Sequence, residues 1–154
     1  MENFGVDAFN VWTEASLANI LGKDLINKKG ELFEASQVVK GSYIVLWFSS
    51  VESRFHHLFL PKLQQWYIDT KKSRDERFEL IYVSFDTQRN EIENAMNEMP
   101  WLAIPFDRRK GILLAEYFDC ALGDIAIVKG DGTVLYKSKK WIDQGAKSSP
   151  LFSG

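Results

Sequence analysis

The sequence predicts an α/β fold, a central mixed β-sheet with helices on both faces and a β-hairpin on its amino-terminal side. Three observations carry that prediction. Tyr43 to Phe48 and Phe78 to Asp86 are continuous apolar runs rich in β-formers, as expected of strands buried on both faces. Between them Phe55, Leu58, Phe59, Leu63, Trp66 and Tyr67 fall three or four apart, the stripe of an amphipathic helix. Near the carboxyl end, Gly130-Asp131-Gly132 separates two short β-rich runs, a hairpin signal.

Taken in order, residues 1–19 read as an arm or short helix, with Phe4, Phe9, Trp12 and Leu17 as its apolar face and Thr13 or Ser16 as caps. Ile20 to Val38 reads as a hairpin turning at Asn27-Lys28-Lys29-Gly30, where Gly30 supplies a positive φ. The first long helix is expected from Ser53 to about Ser73 and carries Pro61 inside it, which removes one backbone hydrogen bond. Lys71 to Arg77 is a charged connection. Arg89 to Met99 has helical spacing and stops before Pro100, and Trp101 to Phe106 is an apolar connector too proline-bounded for a central strand. Lys110 to Phe118 is another helix, Ile125 to Lys129 and Thr133 to Ser138 form the second hairpin, and Lys139 to Gln144 a short closing helix. The folded domain is therefore placed at 20–144, with 145–154 as a polar tail.

Composition narrows the function classes. With 154 residues, 45% hydrophobic and 14% aromatic, the chain can bury one substantial core. A net charge of −2 gives no global field for nucleic acid or anionic membranes, and no run approaches a membrane span. The single cysteine, Cys120, excludes an internal disulfide and a four-cysteine zinc site, which suits a reducing, cytoplasmic setting. No phosphate-cradling glycine loop is present. Arg108-Arg109-Lys110 and Lys137-Lys139-Lys140 are short basic clusters, read first as solvated faces and second as contacts for an acidic partner surface.

The element order is the layout of a thioredoxin-like domain, and three segments carry a closer resemblance. Trp47-Phe48-Ser49-Ser50 ends the first buried strand, Phe59-Leu60-Pro61-Lys62-Leu63 lies in the helix, and Met99-Pro100-Trp101-Leu102-Ala103-Ile104-Pro105-Phe106 comes after the next helix. Across most of residues 20–141 the chain resembles tryparedoxins and nucleoredoxins, a branch of the thioredoxin superfamily. Members of that branch place Trp-Cys-Pro-Pro-Cys after the strand. Here the same five positions are Glu52, Ser53, Arg54, Phe55 and His56, so both cysteine positions have lost sulfur. The position of the family's cis-proline falls at Gly123-Asp124.

Dithiol exchange needs an attacking thiolate and a resolving thiol. The resemblance with these departures therefore implies a redox-inactive domain that works as a protein-binding or scaffold module. Its candidate binding residues are Arg54, Phe55, His57, Trp101, Gly123 and Asp124, and no catalytic residue, cofactor or metal is assigned. A protein partner is expected, in a cytoskeletal or other multiprotein assembly of the cytoplasm or nucleus; nucleic acid and membrane are not. The alternative is a thiol–disulfide oxidoreductase keeping monothiol activity through Cys120, although a small buried apolar residue is the plainer reading of that position. Locally, Ser53 is expected to cap the helix, Glu52 to face its positive end, and His56 to be neutral and partly exposed. Two sharper arrangements are open to test: a Ser53–His56–Asp124 relay, and a metal held by Glu52, His56, His57 and Asp124.

Overall fold

A computed structural model of the chain describes residues 16–73 and 77–137. The expected features at residues 1–15, 74–76 and 138–154, among them Thr13 as a cap, the helix at 139–144, the tail and the lysines 139 and 140, lie outside the described residues. The elements are α1 (Ser16–Leu21), β1 (Asp24–Ile26), β2 (Leu32–Glu34), α2 (Ala35–Val39), β3 (Tyr43–Ser49), α3 (Arg54–Ser73), β4 (Phe78–Ser84), α4 (Arg89–Met96), β5 (Leu102–Ala103), α5 (Arg108–Phe118), β6 (Ile125–Lys129) and β7 (Val134–Lys137). They build one seven-stranded sheet in the order β2-β1-β5-β4-β3-β6-β7. Strand β3 pairs parallel with β4 and antiparallel with β6, and β4 pairs parallel with β5.

The period-two geometry of strands divides the core into two layers. Val45 and Trp47 of β3, Leu80 and Tyr82 of β4, and Ile125 and Ile127 of β6 point to one side, where α3 and α4 cover them. Ile44, Leu46 and Phe48, Ile81 and Val83, and Ala126 and Val128 point to the other, under α1, α2 and α5. All of them are buried. At about 1.5–3 kcal/mol for each large apolar side chain removed from water, these two layers dominate the favourable side of folding.

Four expectations change on contact with the structure. Helix α1 begins at Ser16 and runs to Leu21, so it takes Ile20 out of the predicted hairpin. Second, the hairpin itself is only β1 and β2, closed by Asn27, whose Oδ1 accepts from the amides of Lys29 (3.0 Å) and Glu31 (2.9 Å), with Gly30 at φ +81°. The stretch after β2, expected to extend its second arm, is instead helix α2, five residues long, with Ala35 and Val39 buried one turn apart. One turn is too short to declare its period in a sequence. Third, the proline-bounded connector does contribute a strand: β5 is two residues long and bridges β4 to β1, with Ile26 paired to Ala103. Fourth, α4 ends at Met96, three residues early.

Helix α5 begins at Arg108, and its N-cap Asp107 accepts from the Lys110 amide at 3.1 Å. Gly111 near its start lies directly against the carbonyl of Ser84 at the end of β4, where a Cβ would collide with backbone. A helix-interior glycine ordinarily costs about 1 kcal/mol relative to alanine. Here it is the condition for bringing α5 onto the strand end.

Candidate functional site

The site forms where β3 passes into α3, at the carboxyl edge of the parallel strands, where open α/β sheets place their ligands. The chain leaves Ser49, turns through residues 50–53 and enters α3 at Arg54. Ser53 caps the helix as the sequence predicts: its Oγ accepts from the Phe55 amide at 3.2 Å, and its carbonyl accepts from the His56 amide at 3.1 Å.

A buried carboxylate beneath the turn holds it in place. Asp86, two residues past β4 and 1% exposed, accepts on Oδ1 from Ser50 Oγ (3.0 Å) and the Val51 amide (2.8 Å). Its Oδ2 accepts from Tyr82 OH (2.9 Å) and Ser84 Oγ (2.6 Å), and its own amide donates to Ser84 Oγ (2.8 Å). Burial first, and then the neighbouring Asp86 charge, push the Tyr82 hydroxyl above its ordinary range, so it stays a donor to that carboxylate. Four donors on one buried carboxylate offset much of the cost of taking it out of water. The result ties the turn after β3 to the end of β4.

His56 lies beside this network, 2% exposed. Its Nδ1 is 3.0 Å from Ser49 Oγ, and its ring stacks on Trp47 at 4.9 Å and 16°. Burial first, and then the adjacent His57, lower its pKa to about 4, partly opposed by Asp86. It is neutral near pH 7 as expected, but buried rather than partly exposed. The reason is spacing: positions 56, 59, 60 and 63 form the i, i+3, i+4, i+7 row that faces the sheet. His57 is exposed, and its Nε2 donates to the Val51 carbonyl at 2.8 Å, closing the turn from outside.

The remaining candidates separate into surface and interior. Arg54 and Phe55 are exposed, Phe55 at 54%, with Leu58 at 61% beside it on the next turn. Trp101 is not on that surface: it is 1% exposed, edge-on to Trp47 at 6.2 Å and to Tyr67 at 5.4 Å, because the Pro100–Phe106 stretch feeds β5 in the sheet interior. Gly123 is also buried; its amide donates to the Phe48 carbonyl at 2.6 Å, and the Phe48 amide donates to the Asp124 carbonyl at 3.1 Å. This pairing puts Gly123-Asp124 beside the end of β3. The Asp124 carboxylate, half-buried, accepts from the Ala121 amide at 2.7 Å. It closes its own loop, so the Ser53–His56–Asp124 relay is not assembled: the partner of His56 Nδ1 is Ser49. Among the described residues no three His, Cys, Asp or Glu side chains gather as metal ligands, the Glu52, His56, His57 and Asp124 set included. Cys120 is half-buried after α5, and burial, followed by Asp124, pushes its thiol up to about 11.

Sequence reasoning missed Asp86, Tyr82, Ser84 and Ser49. The available signal was an aspartate closing an otherwise apolar β-run, two residues after a serine.

The fold is that of an α/β domain whose first long helix starts at the carboxyl edge of the parallel strands, the plan of thioredoxin-like proteins. A family model described as thioredoxin-like matches residues 41–134. The chain belongs to the thioredoxin-like family. It is 31% identical over 122 residues to probable nucleoredoxin 2 of Oryza sativa subsp. japonica, covering 78% of this chain and 30% of that protein. It is 32% identical over 89 residues to tryparedoxin of Trypanosoma brucei brucei, covering 58% of this chain and 59% of that one. The chain thus spans less than two thirds of the length of these relatives. In structure it is similar to tryparedoxin II of C. fasciculata, with a TM-score of 0.77 at 22% identity over 88% of this chain and 93% of that one. Thioredoxin of Wuchereria bancrofti gives 0.72 at 24% identity over 86% and 92%. These likenesses carry the fold. Among the described residues no helix is long and apolar enough to cross a membrane.

Proposed function

We propose that this domain recognises a protein partner through the surface at the start of α3 and performs no dithiol chemistry. One observation carries the reading: at the two positions where the resemblance places sulfur stand Ser53, whose oxygen caps the helix, and His56, which is buried against Trp47. Neither is a thiol, and both side chains are committed to the structure. Around them Phe55 and Arg54 stand exposed on a turn that Asp86 holds rigid, so a partner meets a surface already ordered, which lowers the cost of binding. Aromatic and arginine side chains are the usual anchors of such contacts. A reducing cytoplasmic or nuclear setting, and a place within a multiprotein assembly, belong to the same reading.

The alternative, a monothiol oxidoreductase acting through Cys120, asks for a thiolate at neutral pH. Burial and two nearby aspartates favour the protonated thiol instead, with only Lys137 opposing them. Insulin reduction with dithiothreitol decides between the two. The recognition reading expects the blank rate from both the native chain and Cys120→Ser; turnover well above blank that Cys120→Ser removes would establish the oxidoreductase. Affinity capture from native extract with Phe55→Ala/Arg54→Ala as control tests the surface, since an unchanged set of captured proteins would move the binding face elsewhere.

A further inference from the structure

We propose that the outer face of α5, across the sheet from the site above, binds an acidic peptide segment of a partner protein. Carboxylates would sit on Arg108 and Arg109, and an apolar side chain would fill the hollow between Ile20, Leu113 and Tyr117. Two independent departures from ordinary helix design meet there.

The first is electrostatic. The opening turn of α5 is Arg108-Arg109-Lys110 and contains no acidic residue, although unpaired backbone N–H groups already make that end positive and favour carboxylates. Lys110 has a structural explanation, since its ammonium lies against Gly22 just past the carboxyl end of α1, where a cation is favoured. Asp107 is engaged as the N-cap. Arg108 and Arg109 are exposed and have no ion-pair or hydrogen-bond partner among the described residues. The one carboxylate within α5, Glu116, is eight residues from Arg108, about 12 Å along the axis.

The second is apolar. Ten large hydrophobic side chains are exposed among the described residues, and the eleven residues of α5 carry three of them, as many as the twenty residues of α3: Ile112 (42%), Leu113 (53%) and Tyr117 (63%). Arg109, Leu113 and Tyr117 form one i, i+4, i+8 row, with Arg108 and Ile112 in the next. Between the first row and Ile20 of α1 opens a cavity of about 400 Å³, lined also by Leu114, Lys110 and the N-cap Asp107, whose carboxylate is occupied by the Lys110 amide. Unpartnered guanidinium groups select paired carboxylates, and a hollow of this size beside them selects a bulky apolar side chain rather than a flat surface. An acidic segment carrying a large apolar residue satisfies both.

This face is separate from the α3 surface, and binding at either one stands or falls without the other. Fluorescence anisotropy of the whole chain with a fluorescein-labelled EEFEEL amide peptide, and with its KKFKKL counterpart, tests it. The acidic peptide is expected to bind saturably, and to lose about tenfold or more in affinity with the double variant R108E/R109E and with Leu113→Asp. Phe55→Ala is expected to bind like the native chain. Because the double variant puts carboxylates at the amino end of a helix, its thermal midpoint is expected to match or exceed the native value, which separates lost binding from lost folding. Failure of the acidic peptide to bind, equal binding of the basic peptide, or an affinity indifferent to R108E/R109E would overturn the proposal. Should the acidic peptide fail while the chain cosediments with phosphatidylserine-containing vesicles through Arg108 and Arg109, the face would be a membrane surface instead.

Discussion

At the start of α3, Ser49, Ser50, His56, Tyr82, Ser84 and Asp86 have all left water, and each has a hydrogen-bond partner. On α5, by contrast, the guanidinium groups of Arg108 and Arg109 have no partner among the described residues, and three large apolar side chains stay exposed. The first region pairs its buried hydroxyl, imidazole and carboxylate groups internally, with only the Trp47 indole N–H lacking a partner among the described residues, and presents Phe55 and Leu58 outside. The second leaves its side chains unresolved and so retains binding capacity. Within one 154-residue chain, internal pairing goes with the turn that ties β3 to β4, and the departures from ordinary helix design gather on α5, where the proposed acidic segment would bind.

Mutation should expose that contrast, beginning with the largest effect. Asp86→Ala strips four donors of their acceptor in the interior and is expected to cost roughly 3–5 kcal/mol in urea unfolding, whereas Asp86→Asn, which keeps the shape and some acceptors, should cost about half that. A loss below about 1 kcal/mol for Asp86→Ala would mean the network is incidental. His56→Ala removes a stacked buried ring and orphans Ser49 Oγ, for an expected cost of about 2–3 kcal/mol.

The pH dependence sharpens the same point. The folded state holds the His56 pKa near 4, below the unfolded value of 6.5, so the unfolded chain binds more protons between these values. Stability from this group is complete above pH 6.5 and lost as pH falls towards 4, by an amount on the order of 2 kcal/mol. His56→Gln should flatten that part of the stability–pH curve; a slope that survives the substitution would assign it to other groups. Smaller effects are expected at the surface. Ser53→Ala should cost about 1 kcal/mol through the lost cap, measured by thermal unfolding. Phe55→Ala, with its side chain largely in water, should change stability by less than about 0.5 kcal/mol while reducing capture of the partner.

Much of this architecture was legible in the residues. The runs at 43–48 and 78–86 become the parallel central pair, and the stripe from Phe55 to Tyr67 becomes α3 through Pro61. What escaped was either too short to show a period, as with α2 and β5, or depended on partners distant in sequence. Ser50 and Asp86 are 36 residues apart, and only the β3–β4 register brings them together. For the site, the resemblance implied that Ser53 and His56 stand at its two sulfur positions, but the fate of His56 in the fold could not be read from composition. Its place on the 56/59/60/63 row was visible, yet an imidazole in a first turn reads as polar until the stacking indole is seen. Trp101 went the other way: its apolar segment points to the core, where it is wedged edge-on between other rings, and it is therefore no longer a contact candidate.

The close approach of Gly111 to the Ser84 carbonyl gives the molecule a mechanical joint without slack. Ser84 is both the residue on which α5 rests and a donor to the Asp86 carboxylate, so a displacement of that helix bears on the turn that presents Phe55 through one rigid seat. A side chain as small as a methyl group at position 111 would have to lift the helix or bend the strand end, and either movement would be felt on the opposite side of the sheet.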